Sequence, residues 1–125
     1  MSGGRLRGEG GQALTEFALV LPLLVGILVV IIEAGIALNH YLRLTDAVRA
    51  GARTASITHD PAAAGAAAAS ASDGLVAPTA LQLSPTDWTP GGSITVSASV
   101  PWSVDILGLT VASGQLTSST TQRIE

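Results

Sequence analysis

The chain has 125 residues, 47% of them apolar but only 3% aromatic, enough for one small domain plus an anchor and not for two independent cores. A net charge of -3, with no Lys and scattered Arg, leaves no basic patch suited to nucleic acid. The absence of cysteine excludes a disulfide framework, a thiolate nucleophile and a Cys-based metal site.

In chain order, residues 1–11, "MSGGRLRGEGG", are rich in glycine and carry Arg5 and Arg7. They predict a flexible basic leader and not a stable helix. From Phe17 to Ile32 no polar residue interrupts the apolar run. Ala13 and Leu14 before Glu16, and Ala34 to Leu38 after Glu33, lengthen it enough to cross a bilayer of roughly 30 Å. Residues 12–38 therefore predict a single membrane helix. Glu33 at its far edge can reach the headgroups, and Pro22 inside it removes one backbone hydrogen bond and marks a candidate kink.

Beyond Leu38 the pattern turns amphipathic without a stop signal. Asn39, Arg43, Asp46 and Arg53 fall on one helical stripe, and Leu38, Leu42, Thr45, Val48, Ala52 and Ala55 on another. The spacing predicts that the same helix continues through residues 39–57. Arg43, Asp46, Arg49 and Arg53 form a solvated face that could also serve as a partner face.

Residues 58–125 predict an outer α+β domain. Asp60 is placed as an N-cap with Pro61 at the first helical position, an Ala run follows, and Gly74 is the stop of a short second helix; Gly65 and the serines leave a low-complexity linker as the alternative. "SITVSASV" alternates strictly, with Ile94, Val96, Ala98 and Val100 on one face, and predicts the best strand of the chain. "TALQL" at 79–83 and "LTSSTTQRI" at 116–124 predict two weaker strands, set apart by turn signals at Pro85, Pro90, Gly91, Gly92 and Ser113-Gly114. About three antiparallel strands with one apolar face need a cover. The Ala-rich helix and the outer half of the long helix are the candidates.

Little in the chain points to catalysis. His40 and His59 have no partner at metal-ligand spacing, and no nucleophile elbow, phosphate loop or paired carboxylates occur. His40 reads as an interfacial residue beside Tyr41, and His59 as part of the turn before Asp60. An enzyme is not expected, and no cofactor or metal is called for.

Glu16 stands against the apolar run, where a charge is costly unless it lies near the headgroups. An edge position facing the headgroups is one reading. The other starts from Gly10-Gly11: a cut after Gly11 would leave a new amino group on Gln12, one helical turn from Glu16.

"GQALTEF" resembles the class III prepilin cleavage motif, and "ALVLPLLVGILVVIIEAG", "DAVRAGARTAS" and the terminal "TTQRIE" around and after it resemble the TadE-like pseudopilins of the tight-adherence (Flp) pilus machinery. The resemblance implies that a membrane aspartyl prepilin peptidase cuts between Gly11 and Gln12 and that Glu16 and Phe17 serve recognition and assembly. It further implies a single-pass protein of the bacterial cytoplasmic membrane, with its N-terminus cytoplasmic and its outer domain extracytoplasmic. The partners it implies are other pilins and pseudopilins, the inner-membrane pilus assembly platform and the lipid bilayer. A strand domain suggests a minor component, since the major pilin of such systems is much shorter. Orientation comes from the resemblance alone, because arginines flank the membrane helix on both sides. The competing expectation is a secreted or anchored surface binding protein whose apolar run is a signal sequence, with Gly35 and Ala37 as small residues for a signal peptidase.

Overall fold

The computed structural model of the chain describes residues 6–84 and 87–125. A single helix, α1 (Leu6–Thr58), has 53 residues and at 1.5 Å per residue is about 80 Å long. Its outer end leads into α2 (Pro61–Ala71), a 3-10 turn at Pro78–Ala80, and strands β1 (Gln82–Ser84), β2 (Ser93–Ile106) and β3 (Leu109–Arg123). The strands form one antiparallel sheet in the order β1-β2-β3. This is the expected α+β arrangement of a long apolar helix, a short second helix and a three-stranded sheet.

The glycine-rich leader departs from expectation. α1 begins at Leu6 and runs through Gly8, Gly10 and Gly11, while residues 1–5 lie outside the described residues. Interior glycines cost about 1 kcal/mol each against Ala, but the nucleation cost is already met by the apolar run, so extending the helix end needs propagation alone.

The outer half of α1 is buried at Leu44, Ala47, Val48, Gly51, Ala52 and Ala55, in steps of three and four residues. Val48, Ala52 and Ala55 fall on the predicted face. Leu38 and Leu42 do not: both are exposed, because the outer domain covers α1 only from Leu44 onward.

α2 starts as its sequence predicts, with Ala62 N–H donating to Asp60 Oδ1 at 2.9 Å and Pro61 in the first turn. At its far end Gly74 N–H donates to Ala69 O at 2.8 Å, with Asp73 and Gly74 at positive φ. Small residues let α2 approach α1 closely. A Cβ on Gly51 would sit 2.7 Å from Leu81 Cδ2 and 3.5 Å from Ala68 Cβ. Of the two expected covers, α1 packs on β2 and β3, whereas α2 packs on α1 and on the 3-10 turn.

Gly65 marks the tightest approach, since a Cβ there would lie 2.3 Å from the Pro78 carbonyl oxygen. Gly65→Ala is expected to cost about 1 to 3 kcal/mol, because backbone must move to admit it. Gly26→Ala, where a Cβ meets nothing outside its own helix, lies in α1 away from the outer domain and should leave that domain's midpoint unchanged. Urea midpoints of the outer domain in the solubilised protein measure both.

On β2, Ile94, Val96, Ala98 and Val100 are buried as predicted, and Ile124 closes the same core. Three strand expectations need correction. Residues 79 and 80 belong to the 3-10 turn and not to β1, because Pro78 sets the helical first turn. β3 starts at Leu109 and not at residue 116. Ser113-Gly114 is not a turn but lies within β3, opposite Ser103 and Trp102. Glycine leaves room there for the indole, since a Cβ on Gly114 would lie 2.9 Å from Trp102 Nε1 and would push that side chain aside. The reversal is at Leu107-Gly108, both at positive φ as a two-residue primed turn demands. Of the predicted turn signals, Gly91 and Gly92 enter β2 beside the C-terminus, with Gly91 N–H donating to Ile124 O at 2.9 Å. Pro85 lies outside the described residues.

Candidate processing and assembly site

Gly11, Gln12, Glu16 and Phe17 share the first turns of α1, and all four are exposed. Helical spacing brings Gln12 and Glu16 together: Gln12 Nε2 donates to Glu16 Oε1 at 3.0 Å. Thr15 Oγ donates to the Gly11 carbonyl at 2.9 Å. The peptide bond after Gly11 and the Glu16 carboxylate thus sit on adjacent turns. Among the described residues, no atom outside the helix's own backbone and the chain neighbours lies within 4 Å of a Cβ placed on Gly10 or Gly11. Packing among the described residues therefore explains neither glycine, although each costs about 1 kcal/mol of helix stability.

Pro22 lies within α1, which continues through it. The apolar stretch around it is long and apolar enough to cross a membrane, and none of it is buried in the fold. Phe17, Leu19, Leu23, Leu28, Ile31 and Ile36 all face outward. A band of this size is far larger than the apolar patches that soluble monomers expose. Glu33 is partly buried toward its far end.

The charged face of α1 divides into two parts. Arg43 pairs with Asp73 beyond the end of α2 at 3.6 Å, with both side chains well exposed; such a pair is worth about 0 to 1 kcal/mol. Arg49 and Arg53 instead line a cleft between α1 and β3, and Arg123 and the acidic Glu125 line it with them. Asp46 is exposed. Helical spacing groups Arg49 with Arg53, but only the fold brings in Arg123, seventy positions from Arg53 by chain number.

His59 serves the fold. It takes a left-handed φ of 54° just past α1, its Nε2 lies 3.1 Å from the Glu125 carbonyl oxygen, and its ring centroid is 5.6 Å from that of Trp88. Glu125 N–H also donates to Ser56 O at 3.2 Å, so the chain end is tied to the end of α1. His40 is partly buried on the segment between the apolar band and the core. At the other end of the sheet, Thr110 and Ser103 hydroxyls donate to the Asp105 carboxylate, which lowers its pKa from the ordinary value.

Residues 11–53 match the family model described as TadE-like protein. The matched span lies wholly on α1 and holds Gly11, Gln12, Glu16, Phe17, Pro22, Arg43, Asp46, Arg49 and Arg53. Neither the curated proteins nor the solved structures contain a match to the chain.

Proposed function

We propose that this chain, a member of the TadE-like protein family, is a pseudopilin or minor pilin that is trimmed after Gly11 and takes part in assembling a tight-adherence pilus by packing its apolar helix against those of other pilins. Membership of the family implies a role in Tad pilus biogenesis and association with its machinery. Proteins of this family are generally non-enzymatic and structural.

The observation that carries the finer reading is the first turns of α1. Two helix-weakening glycines with no packing role among the described residues precede a carboxylate held one turn from the bond to be cut. A peptidase that must bring the backbone close gives the missing reason for glycine. The exposed apolar band supplies the surface for lipid first and pilin helices later, and Gly26 and Gly35, open to their surroundings on opposite faces of α1, each let a neighbouring helix approach. In this reading the N-terminus is cytoplasmic, the outer domain is extracytoplasmic, and the Arg49–Arg53–Arg123 cleft offers cationic donors to an acidic segment of a neighbour.

The mass of the mature chain in the native membrane tests this reading. A chain beginning at Gln12 is expected, and Gly11→Leu should leave the precursor uncut. A chain beginning near Leu38 would instead mark the apolar run as a removed signal sequence and the outer domain as a secreted binding protein.

A further inference from the structure

Beyond Val100 and Leu116 the β2–β3 hairpin leaves the core and ends in an apolar tip that nothing among the described residues covers. Leu107 is 99% exposed, Leu109 71% and Val111 59%. From Pro101 to Leu116 the only charged residue is Asp105. We infer that this tip rests in the headgroup–acyl boundary of the bilayer that α1 crosses, giving the outer domain a second, lipid-facing contact; the inference rests on the reading of α1 as a membrane span.

Two tethers set the direction of the hairpin. Glu125 bonds to Ser56, and Ser118 Oγ lies 3.4 Å from Thr45 Oγ. Moving back along β3 is therefore moving back along α1, toward the apolar band. The stretch of α1 from Ser56 to Thr45 rises about 16 Å, matched by the strand from Glu125 to Ser118. At that pitch the strand from Ser118 to Gly108 carries the tip about 24 Å further. Leu38, where the apolar run ends, is only about 10 Å from Thr45 along the helix. The hairpin leaves Leu38 and Leu42 exposed and so diverges from α1; a divergence that halves the advance brings the tip level with Leu38.

Local chemistry at the turn selects lipid over water. Leu107 has φ of 52°, a conformation that suits Gly or Asn and disfavours a branched side chain. A turn facing water gains nothing from Leu there, whereas one in an apolar boundary gains its burial. Asp105 limits the depth: Ser103 and Thr110 hold its carboxylate beside the last strand pairs, so about two residues, or roughly 7 Å, lie beyond it. That matches the shallow insertion of interfacial elements. Trp102, stacked over Gly114 further up the hairpin, is a side chain suited to the water-facing side of the boundary.

Since the chain has no cysteine, single nitroxide labels can be placed on the full chain in phosphatidylethanolamine/phosphatidylglycerol vesicles. Suitable sites are Leu107→Cys, Val111→Cys, Val25→Cys in the apolar band and Ser119→Cys on the exposed strand. Collision rates with an aqueous nickel chelate should be lowest at Val25 and several-fold lower at both tip sites than at Ser119. Tip rates equal to that of Ser119, with Val25 still shielded, would overturn the inference and leave the span intact. Free access at Val25 would remove the span reading itself. Shielding of the tip only when other pilus proteins are reconstituted would assign it to a protein partner and overturn the lipid contact.

Discussion

Val48→Asp is expected to unfold the outer domain while leaving α1 anchored. Val48 is fully buried, in one cluster with Leu44 and Ala52 on its own helix and Ile94, Val96 and Ile124 of the sheet side. The buried hydroxyls of Ser56 and Ser72 already donate to Arg53 O and Ala68 O, so among the described residues no buried side-chain donor is left for a carboxylate. An uncompensated buried charge costs about 3 to 5 kcal/mol, a large share of the about 5 to 15 kcal/mol that holds a typical domain together. Arg43→Ala removes one exposed pair and should change stability by at most about 1 kcal/mol. Limited proteolysis and urea midpoints of the two variants give the ranking. If Arg43→Ala proves the more damaging, the facing of the outer helix is wrong.

Glu16→Ala should abolish assembly while sparing insertion and processing. The variant makes the span more apolar, so entry into lipid improves if anything, by less than the about 2.5 to 3.5 kcal/mol of a charge at the helix centre. The bond after Gly11 and the glycine itself are untouched. After the cut, the amino group of Gln12 would lie one turn from residue 16, at the place where the Gln12 side chain already meets the Glu16 carboxylate. Two opposite charges that are costly alone in lipid become tolerable together, and removing one leaves the other uncompensated at about 3 to 5 kcal/mol when buried. Glu16→Gln keeps the shape and the hydrogen bond but not the charge, and should fail in the same way. Mature mass, membrane insertion and co-purification with pilus proteins are the readouts. Undiminished co-purification of both variants would make Glu16 an edge residue at the headgroups.

The parts of the molecule that were legible in the sequence are those governed by neighbours along the chain. The apolar run of α1, the Asp60-Pro61 start of α2 and the alternation of β2 each follow from a local period or cap. The meeting of Gln12 and Glu16 follows for the same reason, because their spacing is about one helical turn.

Where the chain meets itself at a distance, local rules misled. Ser113-Gly114 carries a turn signal, yet Gly114 is glycine because the indole of Trp102 crosses it from the paired strand. The true reversal, Leu107-Gly108, lacks the Asn or Asp that usually marks such turns. Leu38 and Leu42 continue the apolar stripe in sequence, but burial begins at Leu44 because that is where the outer domain first covers the helix. Arg123 joins Arg49 and Arg53, and His59 meets Glu125 and Trp88, only once β3 folds back along α1. The sequence by itself thus determined the long apolar helix and the period of each element. The tertiary structure alone decided which face of α1 is covered and which glycines are needed for close approach. Periodicity reports what one element can bury, whereas the partner it is buried against depends on how distant segments pack.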